Sequence, residues 1–230
     1  MQAAKADWLM RKNEALWQGA SAFFAGISDV GAARMQSLWC YFYACGLLER
    51  QGMEGVGREE AVMLASDELL PQVAVRTLRS YRLLKQKNCN GSPELFARGY
   101  RSAAAALFQT LPLQERREIF PNQIAVLGYS VNCQQDVEQF AELSDVLAKI
   151  GVSVHAAPGC KATLADIASS TRVQLNVVGH EELGGALARY LEREYGIPWL
   201  KLPLQEGLTR QAAIIASGLT VQRKKTGFAS

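Results

Sequence analysis

The chain is 230 residues long, 49% hydrophobic and 20% charged, ordinary proportions for a globular protein and enough for one large domain or two small ones. Its net charge of +3 arises from 25 basic and 22 acidic residues dispersed among one another, which offers no basic face to nucleic acid. The longest apolar stretch, residues 38–48, is too short to span a bilayer, and the first residues lack the basic–apolar–small layout of a secretory signal.

Five cysteines at irregular spacing do not make a disulfide framework and fit a reducing compartment. A cytoplasmic protein without nucleic-acid or membrane contacts is the expectation.

In chain order, residues 3–24 carry Trp8, Leu9, Leu16, Trp17 and Phe23 among polar residues and read as a helix. A second helical stretch, 32–51, is dense in aromatics: Trp39, Tyr41, Phe42 and Tyr43. Gly52, Gly55 and Gly57 mark a loop, and 58–70 and 73–85 are further helices separated by Pro71. A polar break at 87–93 precedes a helix over about 94–111, and Pro112 and Pro121 punctuate the entry to the next region. Residues 1–120 are thus expected to form a helical N-terminal region. Its aromatics fit core packing or a partner interface, with Trp17, Trp39 and Tyr43 as the expected contact residues of an oligomer.

From residue 121 the pattern changes. Gln123 to Leu127 is a short apolar run closed by Gly128, the signature of a buried strand. Val137, Phe140, Ala141, Leu143, Val146, Leu147 and Ile150 then fall on one helical stripe, with acidic and amide residues opposite, and Gly151 ends that helix. A second strand at 152–156, a short helix at 163–169, a third strand at 172–178, a helix at 181–195 and a fourth strand at 199–202 follow. Strands alternating with helices through short loops predict parallel pairing with right-handed crossovers. The fold class is therefore α/β, a doubly wound, mostly parallel Rossmann-like sheet over 121–220, with Ile124, Val126, Val154, Leu175, Val177 and Leu200 buried. Arg223-Lys224-Lys225 stands in an expected solvated basic tail over 221–230.

Three metal-capable residues fall at one edge of this sheet. Cys133 lies beyond the first strand, Cys160 follows Pro158-Gly159 after the second, and His180 closes the third. Open α/β sheets bind ligands at the carboxyl ends of their strands, so the three form a candidate metal set, set against two structural cysteines and a capping histidine. Cys40 and Cys45 diverge by about 140° on a helix and make no compact pair, and Cys89 lies in a loop. The turn after the first strand keeps only the first glycine of a dinucleotide fingerprint, and Tyr129 and Val131 obstruct close approach of a pyrophosphate. No P-loop lysine is present, and no hydroxyl or thiol nucleophile is paired in sequence with a base.

Gln123-Ile-Ala-Val-Leu-Gly-Tyr-Ser-Val, Leu143-Ser-Asp-Val-Leu-Ala-Lys-Ile-Gly-Val, Thr163-Leu-Ala-Asp-Ile and Val173-Gln-Leu-Asn-Val-Val stand in order, followed by Ala188-Arg-Tyr-Leu-Glu-Arg-Glu-Tyr-Gly-Ile-Pro-Trp. This series resembles the middle α/β domain of the nitrogenase component 1 family, with a weaker likeness upstream through Asn90-Gly-Ser and Gly99-Tyr-Arg-Ser-Ala, over roughly residues 89–216. That family includes nitrogenase α and β subunits, their cofactor-assembly paralogues and the dark-operative tetrapyrrole reductases. The resemblance implies metal clusters or substrate held between α/β domains, oligomers with another component 1-like subunit, and electrons from an ATP-dependent iron protein. It implies a short or truncated form, about half the family's length.

By position, His180 stands where the nitrogenase α subunit has its cofactor-ligating cysteine, and Phe96 and Arg101 where that subunit has a glutamine and a histidine beside the cofactor. Tyr129 and Ser130 join Phe96 and Arg101 as the expected cofactor-contacting residues, with His180, Cys133 and Cys160 as metal ligands. The glycine-flanked N-terminal cysteines of the family have no counterpart, and a histidine replaces the thiolate, which argues against dinitrogen reduction. The resemblance implies an assembly, scaffold or interaction subunit of a metallocluster or tetrapyrrole reduction system. The alternative is an oxidoreductase subunit that itself binds an iron–sulfur cluster or related metallocofactor.

Overall fold

The computed structural model describes residues 18–20, 22–30 and 92–226. The helices expected over 32–51, 58–70 and 73–85, the interface residues Trp17, Trp39 and Tyr43, and Cys40, Cys45 and Cys89 lie outside them. The chain divides into two compact units: residues 1–25 with 30–111, and residues 26–29 with 112–230.

In the first unit, helix α1 spans Ser92–Thr110. Pro93 sits in its first turn, where a missing N–H is harmless, and Pro112 follows its end. Ala97, Tyr100, Ala103, Ala104, Leu107 and Phe108 are buried, recurring at three- and four-residue steps along one face. Helical residues 22–25 bring Phe23 edge-on to Tyr100, with ring centroids 5.2 Å apart. A Cβ on Gly19 would lie 1.9 Å from the Phe96 carbonyl oxygen, so only glycine permits that approach.

The second unit is the α/β layer. Strands β1 (Phe120–Leu127), β2 (Ser153–Ala156), β3 (Val173–Val178) and β4 (Trp199–Lys201) form one sheet in the order β2-β1-β3-β4, every pair parallel. Central β3 is buried along its whole length, as a strand covered on both faces must be. Helix α2 (Gln134–Lys149) follows β1, and α5 (Leu208–Thr226) follows β4. Phe140, Leu143 and Leu147 of α2 meet Ala212, Ile215 and Leu219 of α5 over Ile124, Val126, Leu175 and Val177. Side chains alternate along a strand, so the opposite sheet face lies toward α4 (Glu181–Tyr195). The short α3 (Leu164–Ser169) opens on a reciprocal cap between Thr163 and Asp166. Gly196, left-handed at φ +64°, closes α4 with its N–H on the Glu192 carbonyl. Among the described residues, no helix is long and apolar enough to cross a membrane.

Several sequence expectations need correcting. Ile124, Val126, Leu175 and Val177 are buried, but Val154 and Leu200 are only partly so, because β2 and β4 are the sheet's edges. The α2 stripe is split: Val137 and Ile150 are 39% and 50% exposed, while Asp136 in the first turn is 3% exposed. Val137, Phe140, Ala141, Ala148, Val152 and Val154 instead line a groove of about 660 Å³ between α2 and the β2 edge. The chain beyond 207 is helical as far as Thr226, so Arg223 and Lys224 ride on the last turns of α5. Basic side chains are favourable there, against the negative end of the helix dipole.

Candidate functional site

β1 and β3 are neighbours, yet the chain leaves β1 toward β2 on one side and leaves β3 toward β4 on the other. This is the topological switch point, where the loops after two adjacent strands diverge and open a crevice. The turn after β1 supplies Gly128, Tyr129 and Ser130, and the turn after β3 supplies Gly179 and His180. The two turns interlock through glycine. Gly128 has φ +83°, and a Cβ there would stand 2.5 Å from the His180 carbonyl oxygen and 2.9 Å from the Gly184 nitrogen. A Cβ on Gly179 would sit 2.3 Å from the Tyr129 ring.

Asp136 is the hub of the cluster. It lies in the first turn of α2, buried, with Oδ2 accepting from the Ser130 backbone N–H at 2.9 Å. Its other oxygen, Oδ1, meets Nε2 of His180 at 2.9 Å. An ionised carboxylate only accepts, so it fixes a proton on Nε2. The hydrogen bond from Asp136 raises the His180 pKa above its ordinary 6.5, against the opposing pull of burial. Nδ1 faces the Glu182 carboxylate at 3.7 Å, and the side chain keeps 30% of its surface open.

The expected site residues are distributed unevenly around this hub. Tyr129 is buried, edge-on to His180 at 5.9 Å between centroids and tilted against Phe140 at 6.3 Å. Burial, then the charge on Asp136, pushes its phenol up to about 12. Ser130 is 2% exposed, and its hydroxyl accepts from the Asn132 backbone N–H at 3.3 Å. Cys160 is half-buried, and burial, then Asp136, pushes its thiol up to about 11. Cys133 is exposed at the N-cap of α2, its thiol making no capping bond. Phe96 and Arg101 stand half-buried on α1, in the first unit, which is described separately.

Among the described residues, no group of three or more His, Cys, Asp or Glu side chains gathers closely enough to hold a metal ion, so Cys133, Cys160 and His180 are not brought together as a ligand set. A thiolate-held cluster needs deprotonated sulfur and a free imidazole nitrogen. Burial biases Cys160 toward the thiol, whereas His180, with Nε2 on Asp136, keeps Nδ1 as its ligating nitrogen.

Asp136 was missed by sequence reasoning. An acidic residue in a first helical turn reads as a dipole complement pointing to solvent. The available signal was its spacing: Asp136, Phe140, Leu143 and Leu147 follow one helical stripe, so the carboxylate shares the buried face.

Against known proteins, residues 87–217, more than half of the chain, match the family of nitrogenase component 1 type oxidoreductases. One subunit of the light-independent protochlorophyllide reductase of Bradyrhizobium sp. (strain ORS 278) is 27% identical over 130 residues, which is 56% of this chain and 25% of that protein. The nitrogenase iron-molybdenum cofactor biosynthesis protein NifE of Methanococcus maripaludis is 31% identical over 105 residues, 45% of this chain and 21% of that protein. A solved structure, "Nitrogenase Cp1 at pH 5", aligns at 21% identity and a TM-score of 0.42, covering 56% of this chain and 29% of the other. The matched stretch thus spans a quarter or less of the curated relatives' length. On the family match over residues 87–217, the chain belongs to the nitrogenase component 1 type oxidoreductase family.

Proposed function

We propose that this chain acts as an assembly or interaction subunit of a metallocluster or tetrapyrrole reduction system, alongside another component 1-type chain, and does not reduce dinitrogen by itself. The observation that carries this reading is the 2.9 Å bond between His180 and Asp136. It makes His180 a clasp that ties the β3–α4 turn to the start of α2. The relatives supply the setting, since one is a reductase subunit and another a cofactor biosynthesis protein.

The alternative is a redox subunit in which His180, with Cys133 or Cys160, binds an iron–sulfur cluster fed by an ATP-dependent iron protein. It would use Nδ1 of His180 while Nε2 stays on Asp136, together with Cys133 or with a Cys160 that loses the proton burial holds. Anaerobic purification and reconstitution with iron and sulfide, for the natural chain and for His180→Ala, separates the two. The expected result is a colourless, iron-free protein in both cases, with a lower melting midpoint in the variant. Stoichiometric iron in the natural chain that disappears in His180→Ala, at an unchanged apo midpoint, would overturn the reading. Light scattering tests the partner role: an assembly larger than the 25.2 kDa monomer is expected, whether with itself or with a co-expressed component 1-type chain.

A further inference from the structure

Four residues from far upstream complete the α/β unit. Gly26 to Asp29 cluster with residues 112–230, although the chain on either side of them does not. Ile27 forms a parallel bridge with Ala162. The Ala162 backbone N–H donates to the Gly26 carbonyl at 3.0 Å, and the Ser28 N–H donates to the Ala162 carbonyl at 2.8 Å. Ile27, 2% exposed, is the apolar anchor between these two bonds. Asp29 closes the segment, both carboxylate oxygens accepting from the Leu164 N–H at 2.9 Å. At its head the backbones touch: a Cβ on Gly26 would stand 2.0 Å from the Gly159 carbonyl carbon and 2.3 Å from the Cys160 nitrogen.

The turn that Gly26 touches, residues 157–161, is closed on itself, Ala157 and Lys161 exchanging backbone bonds at 3.1 and 2.8 Å. Its Gly159 carbonyl accepts from the Val131 N–H at 2.9 Å, in the turn between β1 and α2. Val131 follows Ser130, whose own N–H is held by Asp136, and Asp136 holds His180. Cys160, in the same turn, lies close enough to Asp136 for that charge to add to burial in raising its thiol. We propose that Gly26–Asp29 is a positioning strap for the Asp136–His180 clasp. Seated on Ala162, the strap fixes the 157–161 turn, and the turn fixes Val131 and the angle at which Ser130 and Asp136 meet His180. Each step is a backbone contact or a hydrogen bond, and closely packed backbone passes on a displacement that a loose side chain would absorb. Contiguity supplies the route, and coupling has to be measured.

Amide hydrogen exchange and the Nε2 proton signal of His180, both read on the ¹⁵N-labelled full chain, supply that measurement. Gly26→Ala drives a methyl into Gly159, and Asp29→Ala removes an exposed carboxylate from the Leu164 N–H. Gly26→Ala should speed exchange of the Ser130 and Val131 amides roughly tenfold and shift the His180 Nε2 signal, with the β3 amides changed much less. Asp29→Ala, which spares the core, should do the same to a smaller extent and stands even where Gly26→Ala fails to fold. Ile27→Val keeps the anchor and should match the natural chain. Equal acceleration across β3 would mean that the variants lower stability alone, and it overturns the proposal. The strap rests on the clasp that carries the proposed function, and the two fail differently. A natural chain without a hydrogen-bonded Nε2 proton on His180 overturns both. A clasp that is present and indifferent to both strap variants overturns the strap alone.

Discussion

The chain has two histidines, and their surroundings treat them in opposite ways. His155 lies near the end of edge strand β2, with Nε2 2.8 Å from the Ser169 hydroxyl and its ring 4.9 Å from that of Phe120. Burial lowers its pKa, the Asp166 carboxylate pulls upward and Arg172 downward. His180 ends central strand β3 and meets a buried carboxylate at a similar distance, and its pKa is raised. Both rings are half-buried, so burial alone does not separate them. A hydroxyl is neutral and compensates no charge, whereas Asp136 rewards the imidazolium directly. The hydroxyl-paired ring belongs to the structural packing around α3, and the carboxylate-paired ring stands at the switch point.

Removing the carboxylate should break that comparison most severely. Asp136→Ala strands the Ser130 N–H and frees His180, two losses at one buried position, and should cost about 3 kcal/mol in denaturant unfolding. Asp136→Asn keeps an acceptor for Ser130 but removes the charge, and should cost less while bringing the His180 titration down. A His180 titration unchanged in Asp136→Asn would show that the carboxylate is not what raises it.

His180→Ala ranks next, at about 1.5 kcal/mol, because Asp136 keeps its bond from Ser130 while losing the charge-assisted one. The corresponding change near His155 acts on the cap of α3. Thr163→Ala removes the side chain that accepts from the Asp166 N–H and should cost about 1 kcal/mol. A larger loss from Thr163→Ala than from His180→Ala, both read from urea midpoints, would reverse the assignment of the firmer clasp to the switch point.

Much of this architecture was legible in the sequence, and the reasons are local. The bounds of α4 emerged because Glu181 and Glu182 favour a helix start and Gly196 takes the left-handed stop. β3 was found one residue long, since apolar runs announce buried strands while their ends fray into neighbours such as Arg172. The position of His180 on the ligand edge was equally visible. Its partner was not, because Asp136 is 44 residues away and a long-range pair leaves no local pattern. Nor does periodicity say which strands become edges, so Val154 and Leu200 were placed too deep. Helix α5 went unread because its terminal basic run looked like solvated tail, and only packing of Ala212, Ile215 and Leu219 on the sheet declares it.

The smallest expected effect, and the sharpest comparison, is in pH dependence. His180 has a folded pKa above its unfolded value near 6.5, so its contribution is complete below that value. It fades as pH rises through the higher folded pKa, where the imidazolium bound to Asp136 loses its proton. His155 has a folded pKa below 6.5, so its neutral ring supports the fold above that value, and the support is lost as pH falls through the folded pKa. The two contributions therefore act in adjacent windows, and their sum should give an unfolding midpoint that is highest near 6.5 and declines on either side. Substitution separates them. In His155→Gln the decline on the alkaline side should remain alone, and in His180→Gln the decline on the acid side should remain alone. Proton resonances of the two rings, followed by titration, should move apart in opposite directions from 6.5. Two coincident titrations would mean that Asp136 does not hold the His180 proton, and the clasp at the switch point would lose its electrostatic basis.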